Sequence, residues 1–216
     1  TRTAPNILTI DYCDLAYGDS TYSGLYYWDT ARTAFRHHGL PGNPWESAVQ
    51  YKTNILDKNS FPADSGCKVS YRFIAAPGVP LATLRAVVER PELWKVSING
   101  APVDPTPGAW TLDRSFGVYD IGRAAREGEN VIILTSSPFT IHTEIEAIYV
   151  TGDFSLEPAA KGFVVTPSRA LAYGNWNAQG LPFYADGVKY VRTYDIPASA
   201  VDRKSTRLNS SHRIRS

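Results

Sequence analysis

Apolar and polar residues alternate with a period of two along much of the chain between positions 68 and 150, the pattern of strands with one buried face. In Lys68-Val-Ser-Tyr-Arg-Phe-Ile74, Val69, Tyr71 and Phe73 fall on the same side. Residues 81–89 follow a Pro-Gly-Val-Pro turn, and the apolar runs 93–98 and 101–103 are separated by Asn99-Gly100. A type I′ turn needs positive φ at both central residues, and Asn-Gly is the pair that supplies it, so a hairpin is predicted there. Residues 116–121, 131–134 and 145–150 continue the series, with the charged turn ending Glu127-Gly-Glu-Asn130 between the first two. Strands at this density, divided by turn signals, predict an all-β protein, an antiparallel sandwich over residues 47–157.

The flanks read differently. Residues 6–12 are extended, but 13–46 are rich in Gly, Tyr and Pro, with Trp45 near their end. Residues 29–38 predict a short helix capped by Asp29 or Thr30, and Gly39-Leu-Pro-Gly-Asn-Pro44 ends it. Residues 1–46 are therefore taken as a connector from an upstream domain. After the sandwich, Gly187-Val-Lys-Tyr-Val-Arg-Thr-Tyr194 echoes Gly66-Cys-Lys-Val-Ser-Tyr-Arg-Phe73. Residues 158–202 are read as the start of a second, truncated sandwich with open edges, its first strands falling after position 172.

Composition narrows the classes. Of 216 residues, 43% are hydrophobic and 20% charged, enough for a buried core, and no apolar run approaches the roughly 20 residues a membrane helix needs. With no methionine anywhere, even at position 1, Thr1 is expected to be an internal residue of a longer chain or a processed end. Residues 203–216 are basic and Ser-rich, resemble translated adapter sequence, and are set aside as a non-native tail. That tail holds five of the 22 basic residues and none of the 21 acidic ones, so the body carries a formal charge of −4 where the whole carries +1. Nucleic-acid binding is thereby disfavoured. Cys13 and Cys67 have no metal-ligand spacing and read as buried free thiols, with one disulfide as the alternative.

Three stretches in order resemble the jelly-roll, galactose-binding-like domains of large bacterial glycoside hydrolases of the family 2 and α-L-rhamnosidase-like kinds. They are Val88-Glu-Arg-Pro-Glu-Leu-Trp-Lys-Val-Ser-Ile-Asn-Gly-Ala-Pro-Val103, then Tyr119-Asp-Ile121 followed by Gly128-Glu-Asn130, then Trp176-Asn-Ala-Gln-Gly-Leu-Pro-Phe-Tyr184 leading into Val188-Lys-Tyr190. Thr151-Gly-Asp-Phe-Ser155 fits the end of such a domain. The resemblance implies a non-catalytic domain whose partners are the catalytic domain of the same polypeptide and an oligo- or polysaccharide. It also implies an extracellular or periplasmic setting. In such enzymes the catalytic carboxylates sit on a separate barrel, so none is carried onto this chain.

The candidate chemistry is that of sugar recognition, in which apolar sugar faces stack on aromatic rings while amides and carboxylates bond hydroxyls. Trp176, Asn177, Gln179, Phe183 and Tyr184 bring both types into one loop, and Trp110 and Tyr119 are alternatives in the first sandwich. Packing competes for every one of these aromatics, and for Trp94. His142, Glu144 and Glu146 share one face of an expected strand, as a metal site or an acid/base pair; a solvated polar face explains the same alternation. Asp11, Asp14 and Asp19 admit a structural calcium but fit no loop motif, so no cofactor is expected. The adjacent His37 and His38 point apart on a helix and read as surface residues. The leading function is an accessory carbohydrate-recognition domain. A free-standing lectin-like module is the alternative, and hydrolysis through Glu144 and Glu146 a third.

Overall fold

The computed structural model describes residues 1–195, so the tail at 203–216 and the last residues of the segment 158–202 lie outside the described residues. Thirteen strands and one α-helix form among them. The N-terminal part holds β1 (Asn6–Ile10), β2 (Tyr12–Tyr17), β3 (Ser20–Tyr26) and α1 (Tyr27–His37). The middle holds β4 (Cys67–Ala75), β5 (Arg85–Glu89), β6 (Lys95–Ile98), β7 (Ala101–Val103), β8 (Pro105–Thr111) and β9 (Asp113–Asp120). β10 (Gly128–Ser136), β11 (Ile148–Gly152), β12 (Phe154–Pro158) and β13 (Phe163–Pro167) follow. One sheet runs β1-β11-β5-β9-β8; the other runs β12-β13-β4-β10-β6-β7, with β2 beside β4 and β3 beside β2. All ladders are antiparallel except β13 with β4.

The alternation read from the sequence is what buries the interior. In β4, Cys67, Val69, Tyr71, Phe73 and Ala75 are buried while Lys68, Arg72 and Ile74 are exposed. Residues from both sheets, Leu8, Val150 and Tyr119 from one and Tyr71, Ile98 and Ile132 from the other, belong to one continuous apolar cluster, so the molecule is an antiparallel β-sandwich. Tyr71 is wholly buried, and its hydroxyl donates to the backbone carbonyl of Glu146 at 2.6 Å, which removes the cost of an unpaired polar group in the core.

The predicted hairpin joins β6 to β7, with Asn99 and Gly100 at φ of 50° and 87°. Asn99 does more than turn the chain. Its Oδ1 accepts from Val131 N at 3.0 Å, and its Nδ2 donates to Ala124 O at 2.8 Å and to Asn130 Oδ1 at 2.9 Å. Asn130, wholly buried, also accepts from Arg126 N at 2.9 Å and donates to Arg126 O at 2.7 Å and Gly128 O at 3.1 Å. Two asparagines picked out as separate motifs thus form one network that ties the hairpin to β10.

Three sequence readings are corrected. Residues 1–46 are not a connector: β1 pairs with β11 from Asn6↔Gly152 to Ile10↔Ile148, and β2 pairs with β4, so this segment supplies strands to both sheets. The helix begins two residues earlier than expected, with Tyr26 at its N-cap; Asp29 sits in its first turn, where a carboxylate suits the helix dipole, and Thr30 is buried. The boundary at 157 falls inside β12, which pairs with β13, and β13 lies against β4 through Val164↔Ile74 and Val165↔Ala75.

Beyond Pro167 the described chain forms no further strand, and the stretch 187–194 meets the N-terminus through the single bridge Arg2↔Val188. Around that bridge, Thr1 N donates to Lys189 O at 2.7 Å and Lys189 N donates to Thr1 O at 2.8 Å. The segment is anchored at Gly180, whose carbonyl accepts from Leu156 N at 2.9 Å. Gly180 has φ of 85°, and a Cβ there would stand 2.8 Å from that of Ser155, so only glycine allows this approach.

Candidate functional site

The first two turns of α1 and the short turn Pro44–Glu46 that follows the helix, with its cap Asn43, project Trp28, Arg32, Asn43, Trp45 and Glu46 around a cleft of about 430 Å³ whose remaining wall is Glu144 and Glu146. Trp28 and Arg32 are one helical turn apart and share a face. Arg32 is held by Glu46 at 2.9 Å and Asp29 at 3.2 Å, which fixes its guanidinium at the rim. Asn43 Oδ1 accepts from Trp45 N at 3.0 Å, and Trp45 Nε1 donates to Ile141 O at 2.6 Å, so the indole is locked to the opposite wall. Trp28 is unlike it: 52% of its surface faces solvent.

The wall that carries the carboxylates is not a strand: it opens with a turn in which Thr143 N donates to Thr140 O at 3.0 Å. Phe139, Ile141, Thr143, Ile145 and Ala147 are buried and the residues between them half-buried, so the period of two holds. Its backbone finds side-chain partners in place of a ladder: Thr140 N donates to Thr143 Oγ1 at 3.1 Å and Ile141 N to the distant Asn59 Oδ1 at 2.9 Å. Glu144 and Glu146 both line the cleft, and the His142 ring lies 5.5 Å from that of Trp45. Burial raises the Glu146 carboxyl to about 7, helped by the nearby charges of Glu144 and Glu89. Glu144 is also raised by burial, against the lowering effect of a hydrogen bond from Asn43. Near neutral pH Glu146 is therefore partly protonated and can donate as well as accept a hydrogen bond.

The residues expected to bind sugar do not gather here. Tyr184 is buried, and its hydroxyl accepts from Thr3 N and Ala4 N, both at 3.1 Å, and donates to Gly187 O at 2.7 Å. Gln179 spans its own loop, accepting from Ala172 N at 2.8 Å and donating to Ala172 O and Asn175 O, both at 3.2 Å. Trp176 Nε1 donates to Tyr190 Oη at 2.9 Å, leaving Asn177 with an exposed side chain. Tyr184 thus ties the segment to the N-terminal residues, while Gln179 and Trp176 brace the segment itself. Trp110 is 55% exposed, but it stands on β8, at the opposite edge of its sheet from β1, beside which Tyr184 docks. Tyr119 and Trp94 are core.

Other candidates resolve into packing or pairing. Asp14 accepts from Arg72 at 3.1 Å and from Gly24 N at 2.8 Å, and among the described residues no group of three or more His, Cys, Asp or Glu is arranged around a metal position. His37 is exposed and stacks on Tyr17, whereas His38 is not a surface residue: its ring stacks 3.9 Å from Phe139, and burial lowers it to about 4. Cys13 and Cys67 are free and buried.

No family model matches the chain, and no curated protein sequence does. Two solved structures are weakly similar to it. One is an FMN-binding β-glucuronidase from Facaelibacterium prausnitzii L2-6, 15% identical with a TM-score of 0.39, over 76% of this chain and 28% of that one. The other is a β-glucuronidase from an uncultured Clostridium sp., 10% identical with a TM-score of 0.37, over 74% of this chain and 32% of that one. Both are glycoside hydrolases, and this chain spans under a third of the length of either.

Trp28, Arg32, Asn43, Trp45 and Glu46 escaped the sequence reading because three separate segments build the cleft. One signal was present. Trp28 stands at the start of an amphipathic helix, one turn before Arg32, at the margin between its buried and polar faces.

Proposed function

We propose that this chain is a non-catalytic accessory sandwich of a glycoside hydrolase, of the jelly-roll, galactose-binding-like type, and that it holds carbohydrate in the cleft between α1 and residues 139–147. The motif order 88–103, 119–130 and 176–190 supports the parentage. One observation carries the binding role: an exposed indole, Trp28, stands in a concave site beside Arg32, Asn43, Glu46 and Glu144. A pyranose face stacks on the ring while its hydroxyls meet fixed donors and acceptors at the rim.

Binding fits the arrangement better than hydrolysis does. Glycosidases flank the scissile bond with two carboxyls facing each other across it. Glu144 and Glu146 come from one segment two residues apart, so both line the same wall of the cleft rather than facing each other across it. Partial protonation of Glu146 then serves hydrogen bonding to sugar hydroxyls.

A glycan array followed by calorimetry on the intact chain tests the reading. Trp28→Ala is expected to weaken whatever glycan binds by about tenfold, in line with the loss of a stacking contact and its buried area. Binding that is indifferent to Trp28, or catalytic turnover that disappears in Glu144→Gln/Glu146→Gln, would refute it.

A further inference from the structure

We infer, resting on the reading of the cleft as a carbohydrate site, that its ligand is a sugar carrying a protonated amino group, and that acidic sugars are excluded. The balance of charge in the cleft points that way. Three carboxylates line it, Glu46, Glu144 and Glu146, and Arg32 is its one cationic side chain. That guanidinium is already engaged, by Glu46 at 2.9 Å and by Asp29 at 3.2 Å.

Glu144 and Glu146 have no such partner. Among the described residues no salt bridge reaches either of them. Glu144 receives a hydrogen bond from Asn43, which is neutral. Both also border a narrow void shared with Glu89, the last residue of β5 and a further carboxylate. Arg90, whose charge is felt by Glu89 and Glu144, is bonded to Glu92 at 2.9 Å. Half-buried carboxylates are ordinarily paired, because a charge that gives up hydration needs another source of compensation. Protonation near pH 7 is how Glu146 meets that need in the free chain. An ammonium group in the cleft would compensate Glu144 and Glu146 together.

The aromatic walls suit the same charge. Trp28 and Trp45 stand in the cleft beside the carboxylates, and the face of an indole attracts a cation through its quadrupole. A neutral sugar would use the rings and the hydrogen-bonding groups, whereas an amino sugar adds a charge that both rings and carboxylates favour. A uronate would instead bring another negative charge against Glu144 and Glu146, with the donors of Arg32 already committed.

The test is calorimetric titration of the intact chain at neutral pH with three trimers: β-1,4-linked glucosamine, its N-acetylated counterpart, and galacturonate. The glucosamine trimer is expected to bind about 3- to 30-fold tighter than the N-acetylated one, the worth of one cation–π contact and one partly exposed ion pair. The galacturonate trimer is expected to bind most weakly. In Glu144→Gln/Glu146→Gln the ratio of the first two affinities is expected to fall to about one. Both ligands meet the same variant, so a loss of folded protein lowers the number of sites and leaves that ratio readable. If the double variant does not fold, each single substitution is expected to lower the ratio at least twofold. Equal affinity for the first two trimers, tightest binding of galacturonate, or a ratio that survives the substitutions overturns the inference. If none of the three binds while another glycan does, this inference falls and the accessory reading stands; if no glycan binds, both fall.

Discussion

Replacing Asn130 by Ala removes four hydrogen bonds from a side chain with no exposed surface. At about 1 kcal/mol net for each bond, and more where a buried partner is left unpaired, the expected loss is about 3–5 kcal/mol. Against a total of roughly 5–15 kcal/mol for a domain, that is a large fraction. It corresponds to a fall in melting temperature of roughly 6–20 °C at this size. Asn99 is best probed by glycine, which accepts φ of 50° without steric cost and removes only the side chain. Asn99→Gly loses three bonds, for about 2–3 kcal/mol. The two share the bond between Asn99 Nδ2 and Asn130 Oδ1, so the double variant is expected to be about 1 kcal/mol less destabilised than the two losses added. Urea unfolding of the four proteins at neutral pH measures the cycle. A loss below about 1 kcal/mol for Asn130→Ala, or strict additivity, refutes the view that this network fastens the β6–β7 hairpin to β10.

Three further outcomes follow from groups whose surroundings are defined. Burial lifts Glu146 from 4.5 to about 7, so the native state holds that proton more tightly than the unfolded chain; its stabilising effect is full below pH 4.5 and disappears as pH rises through 7. Glu146→Gln should flatten the decline of melting temperature across that window, and an unchanged profile counts against burial of the carboxyl. Tyr184→Phe removes a hydroxyl with three backbone partners and should cost about 1–3 kcal/mol, with faster amide exchange at Thr3 and Ala4 and unaltered glycan affinity; a change in glycan affinity would return Tyr184 to the binding site. Burial pushes the thiols of Cys13 and Cys67 up to about 11 and 12, so a thiol reagent should react with both only on unfolding. Rapid labelling of the native chain contradicts that burial.

Local signals carried the sandwich and not its edges. The Asn99-Gly100 turn and the alternation through β4 were legible because each depends only on neighbouring residues. β1 was visible as an extended run, but its partner β11 lies some 140 residues on, and no local pattern announces a ladder of that reach. β3 is exposed along much of its length, so its Gly- and Tyr-rich sequence has no alternation to read. The alternation of 141–147 was sound while its assignment as a strand was not, because ladder partners decide strands, and here the side chains of Thr143 and Asn59 take their place. Among binding candidates, Tyr184 and Gln179 looked like sugar contacts by composition; the structure commits their polar atoms to backbone. Side-chain chemistry is legible in sequence, whereas prior commitment of that chemistry is not.

The exchange of hydrogen bonds between Thr1 and Lys189 places two distant parts of the chain side by side. A short glycine-containing link from Lys189 back to Thr1 would close the described sandwich into a ring without disturbing a ladder. The polypeptide could then be opened at Gly18-Asp19, the exposed bend between β2 and β3, to give a circular permutant that keeps every strand pairing.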